Sequence, residues 1–143
     1  LNSGRDKVLA SIDYTLGSNV EYLELTGAAR VGTGNALRNT LTGTAGDDRL
    51  DGGGSADVMA GGLGNDTYLV NITTDSVVEG LDAGIETVLS RASYTLSANV
   101  ENLTLMLGGL TGTGNSGNNT LTGSGGIDHL VGLGWLDSEA FAA

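Results

Sequence analysis

A nine-residue line of glycine and aspartate recurs in this chain, nested inside a longer repeat that carries Tyr14 onto Tyr94. Few architectures accommodate both periods. The lines begin at Gly34, Gly43, Gly52 and Gly61, with Asn39, Asp48, Asp57 and Asp66 in sixth place. Leu41, Leu50, Met59 and Tyr68 hold the eighth place. Further lines begin at Gly114, Gly123 and Gly132, with Asn119, Asp128 and Asp137 in sixth place. At the longer period, Tyr14-Thr15-Leu16 returns as Tyr94-Thr95-Leu96, and Asn39-Thr40-Leu41-Thr42-Gly43 returns as Asn119-Thr120-Leu121-Thr122-Gly123. Of the 41 aligned pairs that start with Tyr14/Tyr94 and end with Gly54/Gly134, 22 are identical, which marks a tandem module. The first residues align inside a copy, Gly4–Leu9 with Gly84–Leu89, so the chain reads as an excerpt of a longer repetitive protein.

Six residues of turn and three of strand make half a coil. Glycine serves where the turn needs positive φ or close backbone approach. The apolar eighth residue points inward, because side chains alternate across a strand. Two lines complete a coil, which brings sixth-place residues two lines apart together on one edge: Asp48 with Asp66, and Asn39 with Asp57. Facing carboxylates with no Lys or Arg between them repel. A hard divalent cation relieves that repulsion, and turn carbonyls complete a shell of about six to eight oxygens. Magnesium fits less well, since it demands stricter geometry and sheds water reluctantly.

Composition narrows the classes. The chain has 143 residues and a net charge of -11, enough for one domain and too short for two sizeable ones. It has 25 glycines, no proline and no cysteine, which excludes collagen, disulfide frameworks and thiol nucleophiles. Six scattered Lys and Arg residues do not make a nucleic-acid footprint. No apolar run reaches the roughly 18 residues of a membrane span, and no signal peptide is expected at the N-terminus.

Gly61-Gly62-Leu63-Gly64-Asn65-Asp66-Thr67-Tyr68-Leu69 fits the calcium-binding parallel β-helix signature at every place. The lines resemble the RTX, or haemolysin-type, calcium-binding repeat: strongly over 43–69, fairly over 34–42 and 114–131, and weakly from 132 onward. The resemblance implies an all-β chain folded as a right-handed parallel β-roll or β-solenoid, calcium-dependent folding outside the cell, and export by a type I secretion system. It implies a first site from the carbonyls of Thr44, Gly46, Gly61 and Leu63 with the carboxylates of Asp48 and Asp66. A second would use Asn35, Leu37, Asn39, Gly52, Gly54 and Asp57. It is expected to be weaker, because Asn39 brings oxygen without charge. In the second copy Asn119 and Asp137 form the corresponding pair, with the carbonyls of Asn115, Gly117, Gly132 and Gly134. Asp128 has no successor two lines further on.

The organisation expected is a partial spacer over 1–33, a first block over 34–69, a second spacer over 70–113, and a partial second block with a tail over 114–143. The spacers carry β-favouring stretches at 14–16, 20–25, 67–70, 77–78, 87–89 and 100–105, read as wider rungs of the same solenoid. The last coil departs from the repeat pattern, since Leu133 and Trp135 replace glycine and Glu139 stands at an inward place. The segment 138–143 reads as a frayed tail, with a cap or an export signal as alternatives. Asp75 keeps the sixth-place register but reads as a solvated loop carboxylate. Glu21 and Glu101 read as exposed rung charges. His129, the lone histidine, has no partner for a catalytic triad.

The chain is thus read as a non-enzymatic calcium-binding module that folds outside the cell and supports a larger secreted protein. Its expected partners are calcium ions and the type I secretion machinery, with end-to-end self-association through open solenoid ends. A repeat unit of a bacterial surface adhesin is the alternative, with Thr40, Thr42, Thr120 and Thr122 facing a ligand or ice. An accessory C-terminal domain of a secreted protease or lipase ranks below both.

Overall fold

A computed structural model describes residues 4–134 and 136–141. Sixteen short strands run through these residues, and no helix occurs among them. The first-copy strands are β1 (Lys7–Ala10), β2 (Tyr14–Thr15), β3 (Tyr22–Leu25), β4 (Val31–Thr33), β5 (Thr40–Thr42), β6 (Arg49–Asp51), β7 (Val58–Ala60), β8 (Thr67–Val70) and β9 (Ser76–Val77). There follow β10 (Thr87–Ser90), β11 (Tyr94–Thr95), β12 (Asn102–Leu105), β13 (Thr111–Thr113), β14 (Thr120–Gly123), β15 (His129–Val131) and β16 (Ser138–Phe141).

Every pairing is parallel and joins a strand to the next but one, the topology of a β-solenoid with two strands per coil. One face is the eight-stranded sheet of all the even strands. The other carries β1, β3, β5, β7 and β9, then separately β11, β13 and β15. The step is two full lines wherever nonapeptide lines stack, as in Leu41↔Met59 and Leu50↔Tyr68. The spacers continue the same solenoid, but their rungs are not uniformly wider. The steps Lys7↔Tyr22 and Thr87↔Asn102 are each three residues shorter than two lines, and Thr67↔Thr87 is two residues longer. The short coils arise because three residues, 11–13 or 91–93, replace a six-residue turn.

The eighth-place residues Leu41, Leu50, Met59 and Tyr68 are fully buried and stack as the core, joined by Leu23, Val88, Leu103 and Leu121. Each such side chain contributes about 1.5–3 kcal/mol through removal from water. Asn19 and its repeat equivalent Asn99 both take left-handed φ, 64° and 62°, a conformation Asn tolerates better than most residues.

The equivalent of β1 in the second copy is β10, nine strands further along, so one repeat spans four and a half coils. Equivalent strands therefore fall on opposite faces: β5 lies in the five-stranded sheet and β14 in the eight-stranded one. Thr40 and Thr42 thus share no lattice with Thr120 and Thr122. The last coil, which departs from the repeat pattern, does form a strand: β16 pairs with β14 over four residues, although its residues are all exposed. Segment 138–141 is therefore not frayed, while Trp135 and 142–143 lie outside the described residues.

Candidate functional site

The residue that precedes each strand forms a vertical column on each edge. On one edge the Asp48 amide donates to Asp66 Oδ1 at 2.7 Å, and the Thr67 amide donates to the Asp48 carbonyl. On the other, the Asn39 amide donates to Asp57 Oδ1 at 2.7 Å and the Asp57 amide to Asp75 Oδ1 at 3.1 Å. Each carboxylate thus caps the strand entry one coil below, on both edges, which explains why a short acidic side chain recurs in consecutive lines.

The turns 43–48 and 61–66 stack closely. Gly62 takes φ +110, and a Cβ there would lie 2.1 Å from the Thr44 carbonyl oxygen. Gly64, at φ +108, sits on Gly46 in the same way. Thr44 donates through its amide and hydroxyl to Asp48 Oδ2, and Gly46 donates to Thr44 Oγ1. These contacts leave Asp48 Oδ1 and Asp66 Oδ2 buried with no hydrogen-bond partner. Burial pushes Asp66 up to about 6, with the Asp48 and Asp47 charges adding to the rise and the Asp48 amide opposing it. Leu63, which the first set includes through its carbonyl, has an exposed side chain.

At the second pair, Asn35 and Asn39 are held by hydrogen bonds. The Asn35 amide donates to Asn39 Oδ1, while Asn39 Nδ2 and Asn35 Nδ2 donate to the Val20 carbonyl. The Leu37 amide donates to Asn35 Oδ1. A Cβ on Gly52 would fall 2.4 Å from Asp57 Oδ2, and the Gly54 amide donates to the Asn35 carbonyl. Asp57 Oδ2 is buried and unpartnered. Burial pushes Asp57 up to about 7, with Asp75 and Asp51 adding to the rise against the Asn39 amide and Arg38.

Asp75 corrects the sequence reading: it is buried, not solvated, and also accepts from the Asn71 amide. Glu21 and Glu101 likewise are half-buried column members, accepting from the amides of Asp6 and Glu86. Sequence reasoning also missed Glu86, 1% exposed, and Glu79, whose carboxylate takes the Tyr68 hydroxyl. The register would have flagged Glu86, because it precedes Thr87 as Asp66 precedes Thr67. The longer step from Thr67 to Thr87 hid it.

In the second copy, Asn119 and Asp137 stack as a pair, with the Asn119 amide 2.9 Å from Asp137 Oδ1. The half-coil offset places them on the Asp48/Asp66 edge, not that of Asn39/Asp57. The Asn115 amide donates to Asn119 Oδ1 and the Gly117 amide to Asn115 Oδ1. The Gly134 amide occupies Asp137 Oδ2, a Cβ on Gly134 would meet the Gly117 carbonyl oxygen at 2.1 Å, and Gly132 lies against Asp137. Asp128 accepts from Leu110 and doubly from Ser124, and the amide bonds hold its pKa below the ordinary value. Its coil-below neighbour is Leu110, so no acid faces it from that side.

Among the described residues no three acidic or histidine side chains converge on one point. An ion held here would take two carboxylates and complete its shell from turn carbonyls. The orphaned oxygens of Asp48, Asp57 and Asp66 fit that arrangement: buried, anionic and without donors.

The comparisons agree with this geometry. The chain is 36% identical over 109 residues to endo-1,3-1,4-beta-glycanase ExsH of Rhizobium meliloti (strain 1021), covering 76% of this chain and 22% of that protein. It is 37% identical over 83 residues to endo-1,3-1,4-beta-glycanase EglC of the same strain, covering 57% and 18%. The chain thus spans about a fifth of the length of the curated relatives it matches. No solved structure matches it. The model of the RTX calcium-binding nonapeptide repeat matches residues 33–68 and 113–134, four copies, the same lines whose turns stack here. Residues 33–68 and 113–134 of this chain thus carry RTX calcium-binding nonapeptide repeats.

Proposed function

We propose that this chain is a calcium-loaded solenoid module, without chemistry of its own, that folds or rigidifies outside the cell as part of a larger exported protein. The observation that carries the reading is the set of buried, unpartnered carboxylate oxygens on Asp48, Asp57 and Asp66. Desolvated anions without donors are costly, and a hard cation offsets that cost directly. Binding free energy then becomes folding free energy. The ligands proposed are Asp48 and Asp66 with the carbonyls of Thr44, Gly46, Gly61 and Leu63. A weaker set comprises Asn35, Leu37, Asn39, Gly52, Gly54 and Asp57, and a further one Asn119 and Asp137, with Asp128 weakest.

The likeness to two glycanases over about a fifth of their length supports an accessory module of a polysaccharide-acting protein. That role favours accessory duty over adhesion, as does the placement of the threonine rows on different sheets. Type I export and end-to-end association through the terminal strand edges belong to the same reading.

A calcium titration followed by far-UV circular dichroism, with magnesium as control, tests it. The expected result is a cooperative gain of β signal with calcium alone, at roughly micromolar to millimolar concentrations. A chain fully folded in chelator that binds no calcium would overturn it.

A further inference from the structure

The column that carries Asp48 and Asp66 continues past the nonapeptide lines. The Thr87 amide donates to the Asp66 carbonyl and the Asn102 amide to the Glu86 carbonyl, so Glu86 and then Glu101 occupy the next two levels. The connection 79–86 stacks on turn 61–66 much as that turn stacks on 43–48. The Gly64 amide donates to the Ala83 carbonyl, and a Cβ on Gly84 would lie 2.0 Å from the Gly64 carbonyl oxygen. No nonapeptide line supplies this level.

Three observations single it out. Glu86 is 1% exposed, and its Oε1 is buried with no hydrogen-bond partner; Glu79 Oε2 is buried and unpartnered as well. The charged groups that act on Glu86 are Glu101, Glu79 and Asp66, all acidic, and those that raise Glu79 are Asp66 and Glu101. At the other end of the same column the arrangement differs. There the Arg30 guanidinium lies against Gly46 and donates to Thr44 Oγ1, placing a permanent cation below turn 43–48.

We propose that the two carboxylates of Glu79 and Glu86 form a further divalent-cation site between turn 61–66 and residues 79–86, one level beyond the Gly/Asp lines. Glu101 stands behind Glu86, fixed to its amide at 2.9 Å. Turn carbonyls complete the shell, as at the level below. Calcium is favoured over magnesium, since a shell of two carboxylates and carbonyls from irregular turns is far from octahedral. The site rests on the calcium reading above, and it extends that reading to a coil the repeat signature does not cover.

Counting calcium bound to the whole chain by equilibrium dialysis tests it. Glu86→Gln is expected to bind one calcium fewer than the parent chain, and to melt no lower than the parent in chelator, because a repelling charge is gone. Glu79→Gln, at a half-buried position, decides by the same count if Glu86→Gln does not fold. Asp48→Asn serves as the contrast: it loses an ion from the repeat pair while Glu86→Gln still removes another from it. An unchanged count in both glutamate variants, with calcium still bound by the parent, overturns this site alone. A parent chain that binds no calcium overturns the site and the calcium reading together.

Discussion

The backbone amide of Asp48 donates to Oδ1 of Asp66, one coil later, at 2.7 Å, and leaves Asp66 Oδ2 buried and bare. One carboxylate therefore has two duties. One oxygen locks the register of successive coils through a charge-assisted hydrogen bond, and the other, left without a donor, is the one proposed to meet the ion. The stacking that fixes the fold thus also concentrates the charge that destabilises it without a cation.

Removing the free oxygen separates the two duties. Asp66→Asn keeps an acceptor for the Asp48 amide and loses the charge. Isothermal titration is expected to show calcium affinity at the first-copy sites reduced tenfold or more, with the β signal in excess calcium retained. Asp128→Asn, at a carboxylate already satisfied by Leu110 and Ser124, is expected to change affinity less than threefold. Equal losses from the two would show that the orphaned oxygens do not mark the binding sites.

The raised acids give a definite sign to the pH dependence. Burial pushes Asp66 up to about 6, Asp57 to about 7 and Glu86 to about 8, the last with help from Glu101, Glu79 and Asp66. Unfolded carboxyls titrate near pH 4, so between about pH 4 and 8 the folded chain holds protons that the unfolded chain has released. Stability of the calcium-free chain is then greatest at the acid end of that window and falls as pH rises through it. Saturating calcium reverses the trend, because binding requires the protons to leave. Thermal melts at pH 5, 6, 7 and 8, with and without calcium, check both signs. A calcium-free melting temperature that rises with pH would contradict the burial of these acids.

The core contributes separately from the turns. Leu50→Ala removes a fully buried side chain stacked between Gly32 and Tyr68, and it is expected to cost about 2–5 kcal/mol. Leu63→Ala trims a side chain that is 58% exposed, while the Leu63 carbonyl stays in place, so its effect is expected within about 0.5 kcal/mol. Urea melts in excess calcium measure both. A large loss in Leu63→Ala would mean the exposed turn residues carry packing that the solenoid interior does not.

Much of this is legible in the sequence because one period fixes both strand and turn. The eighth place of each line predicts burial of Leu41, Leu50, Met59 and Tyr68, and the sixth predicts the pairs Asp48/Asp66 and Asn39/Asp57. What escapes is everything that depends on coil length where the nine-residue line lapses. Asp75 keeps the register yet reads as solvated, because its line lacks glycines. Its amide donors from Asn71 and Ile72 come from a turn shaped without them. Glu79 and Glu86 lie in the longest coil, whose two extra residues break the nine-residue count. The exchange of faces between copies is hidden as well. The long period does not reveal that it contains an odd number of half coils until the three-residue connections at 11–13 and 91–93 are seen.

Glycine at the stacked turns offers the sharpest link between backbone and ion. Gly62 holds φ +110, which side-chain-bearing residues rarely adopt, and its α-carbon faces the Thr44 carbonyl so closely that a Cβ would intrude to 2.1 Å. Gly62→Ala therefore strains its own backbone and pushes on a carbonyl proposed as a ligand. The expected loss is about 1–3 kcal/mol from the conformation alone, with more from the displaced turn. Calcium affinity is expected to fall along with stability. Gly17→Ala is the control, since a Cβ there meets nothing within 4 Å and no positive φ is involved. It is expected to leave both stability and calcium binding within error of the parent. Should Gly62→Ala lower the melting temperature yet leave calcium affinity unchanged, the Thr44 carbonyl would not be a ligand. The coordination would then have to come from the carboxylates and the remaining carbonyls of turn 61–66.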